Sequence, residues 1–258
     1  MVTAAAQVVF MLGHPVSGTA MPGRFNRLAG DAGLDRVMVP LDLDAAGLRA
    51  VVAGLRGMAN VPGAVVTAPW KQLALDLVDE ASATARLAGA VNVIRRAPDG
   101  RLHGENTDGG GFLAALAGHA VAPRGLRTLV IGAGGAGSAI AAALVAAGAT
   151  VAVSDLDRTR AVALAARIGA EAMPPPGSLG GFGLVVNATD VGHDGTALPH
   201  QLTGLDAQAL VADVIAAPEI TPFLARARDL GARIQTGAEM SAGQLPLVLD
   251  LLGLRSDS

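Results

Sequence analysis

The sequence predicts an α/β protein with an N-terminal α/β domain followed by a C-terminal domain on a doubly wound parallel sheet. Three observations carry this expectation. The chain has 258 residues, which at roughly 150 residues per domain suits one large domain or two modest ones. Short β-branched runs alternate with helix-length stretches along both halves, the pattern of strands joined by crossover helices. A strand running into a glycine-rich turn and then an apolar helix stands at Thr128-Leu-Val-Ile-Gly-Ala-Gly-Gly-Ala-Gly137.

In chain order, Val8–Leu12 reads as a strand, Pro22–Ala32 as a helix and Arg36–Leu41 as a strand ending at Asp42. Ala45–Gly57 is helical, and Ala64–Thr67 is a short buried strand stopped by Pro69. Gln72–Val78 and Ser82–Leu87 are helical, and Ala90–Arg95 is a strand before the turn at Pro98-Asp-Gly100. The glycines Gly109-Gly-Gly111 open a connecting helix between Asp108 and Pro123, where the domain boundary is placed. The second series of strands is Thr128–Ile131, Thr150–Ser154, Leu184–Asn187, Leu210–Asp213 and Arg233–Gln235. A helix over Ala136–Ala147 joins the first two, and Pro174-Pro-Pro176 marks a turn or exposed edge.

Composition removes several function classes. The chain has no Cys, so disulfides, thiolate metal sites and cysteine nucleophiles are excluded. It has no Tyr, which removes acid–base chemistry on a phenol. Aromatic residues are 2% and the formal net charge is −3, a poor match to the basic grooves and stacking rings of a nucleic-acid binder. No basic leader precedes the apolar run Gln7–Leu12, which reads as a first strand and not as a signal peptide. The uncharged stretch Thr128–Ser154 resembles a membrane span until Gly132, Gly134, Gly135, Gly137 and Gly148 divide it into strand, turn, helix, turn and strand. The expectation is a cytoplasmic, non-membrane protein, monomeric or homodimeric, acting on a small molecule.

The turn after the Thr128 strand has the spacing Gly132-x-Gly134-x-x-Gly137. In a Rossmann dinucleotide site the first glycine allows the tight turn, the second admits the pyrophosphate, and the third lets helix and strand pack closely. The helix then turns free N–H groups and its positive dipole end toward the phosphates. Asp155 ends the next strand, 23 positions after Gly132, near the roughly 20 expected of an acid that binds the adenosine ribose. A carboxylate there accepts from a free 2′-hydroxyl and repels a 2′-phosphate. Arg158 and Arg160, just beyond, could partly offset this repulsion, although solvated surface charges are their simpler reading. The expected cofactor is NAD, preferred over NADP.

Oxidising an alcohol requires a group that takes the hydroxyl proton as hydride leaves for the nicotinamide. His14, His103, His119, His193 and His200 show no metal-ligand spacing, and no metal is expected. Of 19 basic residues, 18 are Arg, and the one lysine is Lys71, just after Val65-Val-Thr-Ala-Pro-Trp70. Taken alone, a lysine at a helix start is most often a solvated charge. In an arginine-using chain the exception matters, because lysine can give up its proton and arginine cannot. Asp108, in Gly104-Glu-Asn-Thr-Asp-Gly109, is the natural companion, although a helix N-cap is its simpler role.

Together these motifs resemble the shikimate/quinate dehydrogenase family over nearly the whole chain. They are Gly13-x-Pro15, Gly63-Ala-Val-Val-Thr-Ala-Pro-Trp-Lys71, Leu87-Ala-Gly-Ala-Val-Asn92, Gly104-Glu-Asn-Thr-Asp-Gly109 and Gly132-Ala-Gly-Gly-Ala136. Asn187-Ala-Thr189, Asp213-Val-Ile with Thr221-Pro-Phe-Leu224, and Gly237-Ala-Glu-Met240 through Gln244 follow in the same order. The resemblance implies a substrate-binding and catalytic domain over 1–107, a Rossmann domain over 108–237, and a last helix, 238–258, packing back onto the first. It implies Lys71 and Asp108 as the catalytic pair, with Thr67, Asn92 and Gln244 on the ring hydroxyls. For the cofactor it implies Gly132, Gly134, Gly135, Ala136, Gly137, Asp155, Asn187, Ala188, Thr189 and Gly237. The NADP-using members end the second Rossmann strand in Asn-Arg-Thr, where this chain has Ser154-Asp-Leu-Asp157, closer to the NAD-using ones.

The departures from the family fall on the substrate side. Its Ser-x-Ser-Pro carboxylate clamp corresponds to Thr19-Ala-Met21-Pro22, so Thr19 keeps a hydroxyl and Met21 brings a thioether. The Asn of its Asn-Val-Thr is Val65, and the Tyr of its Asp-Val-x-Tyr is Ala216. Each missing contact would cost about 1–3 kcal/mol, so two would weaken shikimate recognition by about thirtyfold to over ten-thousandfold. Arg24 lies near the clamp, although an exposed helical arginine is its simpler reading. The expectation is an atypical member acting on another cyclic or polar secondary alcohol. The competing reading is a non-catalytic NAD or metabolite sensor. A Rossmann enzyme for folate-type substrates fits the lysine but not the motif order.

Overall fold

The computed structural model of the protein describes residues 2–254. The chain forms two compact units, Met1–Thr107 with Gln244–Ser258, and Asp108–Gly243. Positions 255–258 of the expected last helix lie outside the described residues.

The first unit follows the order β1 (Gln7–Gly13), α1 (Met21–Asp31), β2 (Arg36–Asp42), α2 (Ala45–Leu55), β3 (Gly63–Val66) and α3 (Lys71–Leu75). It continues with β4 (Glu80–Ala81), α4 (Ala83–Ala88), β5 (Val93–Arg96) and β6 (Leu102–Glu105). Among the described residues its sheet runs β2-β1-β3-β5-β6-β4. β1 pairs in parallel with both β2 and β3, whereas β3–β5 and β5–β6 are antiparallel. The sheet is therefore mixed. β6 and the short β4 are absent from the sequence reading. They are short, and β6 carries His103 and Glu105, so neither produces a clear apolar run.

Local chemistry sets the helix ends. Asp44 caps α2 by accepting from Gly47 N at 2.7 Å, and Ser82 caps α4 by accepting from Ala85 N at 3.1 Å. Side chains from β1 alternate between two apolar layers. One gathers Val9, Met11, Phe25, Met38 and Val65 with Val248, Leu252 and Leu254 from the chain's end. The other gathers Leu12, Leu48, Leu55, Val66, Ile94 and Leu102. Arg36 also donates to the Leu254 carbonyl, tying the chain's end to β2.

The second unit contains α5 (Asp108–Gly118), β7 (Arg127–Ile131), α6 (Gly135–Ala146), β8 (Thr150–Ser154), α7 (Arg158–Ile168) and β9 (Glu171–Ala172). β10 (Leu184–Asn187), β11 (Leu210–Asp213), α8 (Pro222–Asp229), β12 (Arg233–Gln235) and α9 (Gly237–Leu251) follow, the unit division falling inside α9. The strand order β12-β11-β10-β7-β8-β9 is parallel throughout. This is the doubly wound arrangement, with its order reversing between β7 and β10.

The glycines of α5 have a packing reason that the sequence reading did not supply. A Cβ on Gly109 would stand 2.6 Å from Ala139 O, and one on Gly243 would stand 2.6 Å from Gly111 O. Bare backbone is what lets α5 approach α6 and α9. Thr236 and Glu239 close the start of α9 reciprocally. Glu239 N donates to Thr236 Oγ1 at 3.2 Å, and Thr236 N donates to Glu239 Oε2 at 2.7 Å.

One buried group in β12 is unsatisfied. Gln235 is fully buried, and neither Nε2 nor Oε1 has a hydrogen-bond partner among the described residues. A buried unpaired polar group costs about 1–3 kcal/mol. Gln235→Met, of similar length and apolar, is expected to raise the melting temperature by about 2–10 °C in a thermal scan. An unchanged or lowered Tm would show that the amide is satisfied in solution.

Candidate active site

In the first unit, β1 lies between two parallel neighbours, β2 on one side and β3 on the other. The carboxyl ends of β1 and β3 therefore form a topological switch point, the place where open α/β sheets bind ligands. Gly13 ends β1 there, and a Cβ on it would stand 2.4 Å from Thr67 Cγ2, so its hydrogen is what seats Thr67. Thr67 O accepts from Trp70 N at 3.0 Å, and Trp70 Nε1 donates to Leu43 O at 2.9 Å. Lys71 follows as the first residue of α3, half-buried, with its carbonyl accepting from Val91 N at 2.8 Å. The lysine's backbone is thus fastened to the residue before Asn92.

Asn92 is buried, and it brings two distant parts of the first unit together. Its Nδ2 donates to Thr107 Oγ1 at 3.0 Å and lies 3.4 Å from Gln244 Oε1, while its Oδ1 accepts from Thr107 N at 2.8 Å. Thr107 Oγ1 in turn donates to Gln244 Oε1 at 3.2 Å. Asn92 and Gln244 are therefore joined directly. Thr107, to which the sequence reading gives no role of its own, is the member that completes the set. Its signal is its place beside Asp108 in Gly104-Glu-Asn-Thr-Asp-Gly109.

The positions of the altered clamp behave differently. Thr19 is half-buried, whereas Met21 is 4% exposed and packs in the same apolar layer as Val65. The two apolar replacements thus share one cluster. His14, beside Gly13, is exposed and held by Asp42, with Nδ1 2.6 Å from Oδ1. This hydrogen bond holds the Asp42 carboxyl below its ordinary range. No cluster of metal-ligating side chains occurs among the described residues, and no helix there is long and apolar enough to cross a membrane.

In the second unit Asp108 is buried and opens α5, in the first turn, where acids are favoured. The glycine-rich turn lies at the reversal point of the sheet, between β7 and α6. Gly132 has φ +106°, and a Cβ on it would stand 2.7 Å from Ala188 O. A Cβ on Gly137 would stand 2.0 Å from Gly132 O. Gly134 differs: a Cβ there would meet no protein atom within 4 Å. Gly134 is also the N-cap of α6 and supplies no side-chain cap, so the first amides of that helix are left for an anion. This open cradle fits a dinucleotide pyrophosphate. Gly135 and Ala136 form the first turn of α6 and are half-buried.

The remaining cofactor candidates border the same end of the sheet. Asn187 is fully buried, its side chain engaged within the protein, while Ala188 and Thr189 are half-buried. Gly237 begins α9, and a Cβ on it would stand 2.4 Å from Ile215 O. Ala216, where the family has Tyr, is half-buried just beyond.

A parallel doubly wound sheet with an open glycine turn, together with a separate α/β unit, fits the class of nicotinamide-dependent dehydrogenases. The family model for the shikimate dehydrogenase substrate-binding domain matches residues 11–94. The shikimate dehydrogenase (NADP(+)) of Rhodospirillum rubrum is 38% identical, over 93% of this chain and 89% of its own length. The structure of shikimate 5-dehydrogenase from Thermus thermophilus, in complex with NADP(H) and shikimate, superposes with a TM-score of 0.88 at 35% identity, covering 97% of this chain and 95% of that one. Ligand-free 5-ketofructose reductase of a Gluconobacter strain gives a TM-score of 0.87 at 32% identity, covering 97% and 94%. The chain belongs to the shikimate dehydrogenase family and is an oxidoreductase acting on a CH–OH group.

The expected preference for NAD is corrected by these comparisons. The relatives from Rhodospirillum rubrum, Acidiphilium cryptum and Caulobacter vibrioides are all named NADP(+) enzymes. Asp155 has a second use in the structure. Its Oδ2 accepts from Ala133 N at 2.6 Å and its Oδ1 from Asp157 N at 2.8 Å. The carboxylate closes the glycine-rich turn onto the end of β8, a structural role that spacing alone does not distinguish from ribose binding. The exposed Arg158 and Arg160 stand immediately beyond it.

Proposed function

We propose that the protein interconverts a polyhydroxylated, shikimate- or quinate-like secondary alcohol and its ketone, with a substrate altered at the carboxylate end. The observation that carries this reading is the hydrogen-bonded Asn92–Thr107–Gln244 set, with Asn92 and Thr107 buried, in the unit that also carries Thr67 and Lys71. These are amide and hydroxyl groups suited to ring hydroxyls, fixed in advance by their own hydrogen bonds.

Lys71 is the general acid/base, with Asp108 as its companion. In the oxidative direction Lys71, in its neutral form, takes the hydroxyl proton as the C–H bond breaks; in reduction the ammonium returns it. The bound nicotinamide supplies the hydride acceptor or donor, and NADP(H), named in the relatives, is the cofactor proposed. Gly132, Gly134, Gly135, Ala136 and Gly137 take the pyrophosphate, while Ala188, Thr189 and Gly237 border the nicotinamide half. Met21 and Val65 support the altered substrate, because neither offers a donor to a carboxylate and both lie in one apolar layer. The likeness to a 5-ketofructose reductase fits a polar substrate without that carboxylate.

The test is a steady-state screen of shikimate, quinate and cyclic or acyclic polyols lacking the carboxylate, each with NADP+ and NAD+. The expected result is turnover with NADP+, with shikimate KM raised at least about tenfold above that of the biosynthetic relatives. A shikimate KM equal to theirs would overturn the altered substrate. Absence of turnover with every alcohol would overturn the enzymatic assignment of Lys71.

A further inference from the structure

Asp213 ends β11 and is 1% exposed, yet it is a carboxylate surrounded by donors. Asn187 Nδ2 lies 3.2 and 3.1 Å from its two oxygens, Thr221 Oγ1 donates at 2.8 Å, and Ile215 N donates at 3.0 Å. Burial pushes its carboxyl above the ordinary range, and the surrounding donors oppose that shift. A buried acceptor with this many partners is costly to build if its role is only to end a strand.

What Asp213 holds is the loop after β10. Asn187 Nδ2 also donates to Val191 O at 3.1 Å, and Asn187 Oδ1 accepts from Thr189 N at 3.1 Å and from Thr189 Oγ1 at 2.7 Å. Thr189 Oγ1 then accepts from Val191 N at 3.1 Å. The backbone fixed in this way packs on the glycine-rich turn, since Gly132 has room for no Cβ against Ala188 O and Thr189 Cγ2. On its other side Asp213 sets Ile215, whose carbonyl stands where a Cβ of Gly237 would be. Three chain segments at the carboxyl end of the sheet thus depend on one carboxylate. Asn187 itself, fully buried, presents no side-chain atom to solvent.

We propose that Asp213 is a positioning residue for hydride transfer: through Asn187 it fixes the 188–191 backbone that walls the nicotinamide half of the dinucleotide site. The proposal rests on the dinucleotide reading given above. Asp213→Asn keeps the shape and places an amide donor against the Asn187 amide.

The experiment measures wild type, Asp213→Asn and Asn187→Ala for NADP+ affinity by calorimetry, both KM values, and the primary deuterium isotope effect with substrate labelled at the reacting carbon. In both variants the cofactor KM is expected to rise at least about tenfold, the KM for the alcohol to stay within about twofold, and the isotope effect on kcat to increase as hydride transfer becomes slower. A merely structural role would lower Tm without moving the isotope effect or separating the two KM values. Should Asp213→Asn not fold, Asn187→Ala carries the test, because its truncated side chain reaches the ligand only through the loop. Wild-type cofactor KM and isotope effect in a folded variant overturn the role of Asp213. Failure of the wild type to bind any nicotinamide dinucleotide overturns the dinucleotide reading itself, and the proposal with it.

Discussion

Lys71→Ala is expected to lower kcat by about 10²–10⁴-fold while the affinity for NADP+, measured by calorimetry, is unchanged. The asymmetry follows from placement. Lys71 starts α3 in the first unit, whereas the glycine-rich turn that fits the phosphates lies in the second. Truncating the lysine therefore leaves every dinucleotide contact proposed above. The Lys71 backbone carbonyl keeps its bond from Val91 N whatever the side chain, so the start of α3 stays fastened. Lys71→Arg sharpens the test. A guanidinium keeps the positive charge but does not release its proton near neutral pH, so it is expected to be nearly as inactive as alanine. If Lys71→Arg retained most of the activity, the lysine would be acting as a fixed charge on the substrate, and the proton would move by another route.

The Rossmann half is legible in the sequence because several constraints there coincide. A parallel strand, a turn needing φ > 0 at Gly132 and a close helix leave few residue choices, so the pattern survives as letters. The mixed sheet of the first unit is less legible. β4 and β6 are short, and their place comes from pairing with β5 and with each other, not from their own apolar periodicity. The site shows the same division. Asn92 and Gln244 stand out in the sequence by resemblance alone, and the structure joins them by a direct contact at 3.4 Å and through Thr107. No spacing rule links residue 92 to residue 244.

Asp155 marks a limit of the sequence, since its position and charge are plain there and its bonding is not. A carboxylate at the end of β8 can face a ribose or close a turn, and only the two backbone donors at Ala133 and Asp157 reveal the second role. Met21 is the converse. The sequence marks it as a clamp position without a donor, and its burial beside Val65 adds that the position belongs to an apolar layer.

Gly137→Ala is expected to abolish measurable dinucleotide binding and to lower stability together. The added Cβ would stand 2.0 Å from Gly132 O and 2.9 Å from Gly132 C, both backbone atoms. Neither can rotate aside, so the turn or α6 must move, and overpacking of this kind costs about 1–3 kcal/mol or more. Gly132 is in turn set against Ala188 and Thr189, which carries the displacement to the loop after β10. Gly134→Ala separates packing from ligand binding. Its Cβ would meet no protein atom within 4 Å, and Gly134 has φ −75°, which alanine adopts readily. Its Tm should therefore match wild type, while the methyl group stands where the pyrophosphate must approach and weakens NADP+ binding by about five- to hundredfold. Calorimetry beside a thermal scan checks both. Unimpaired binding by Gly134→Ala would mean that the phosphates do not lie over this turn, and equal Tm losses in the two variants would mean that the open space beside Gly134 is closed in solution.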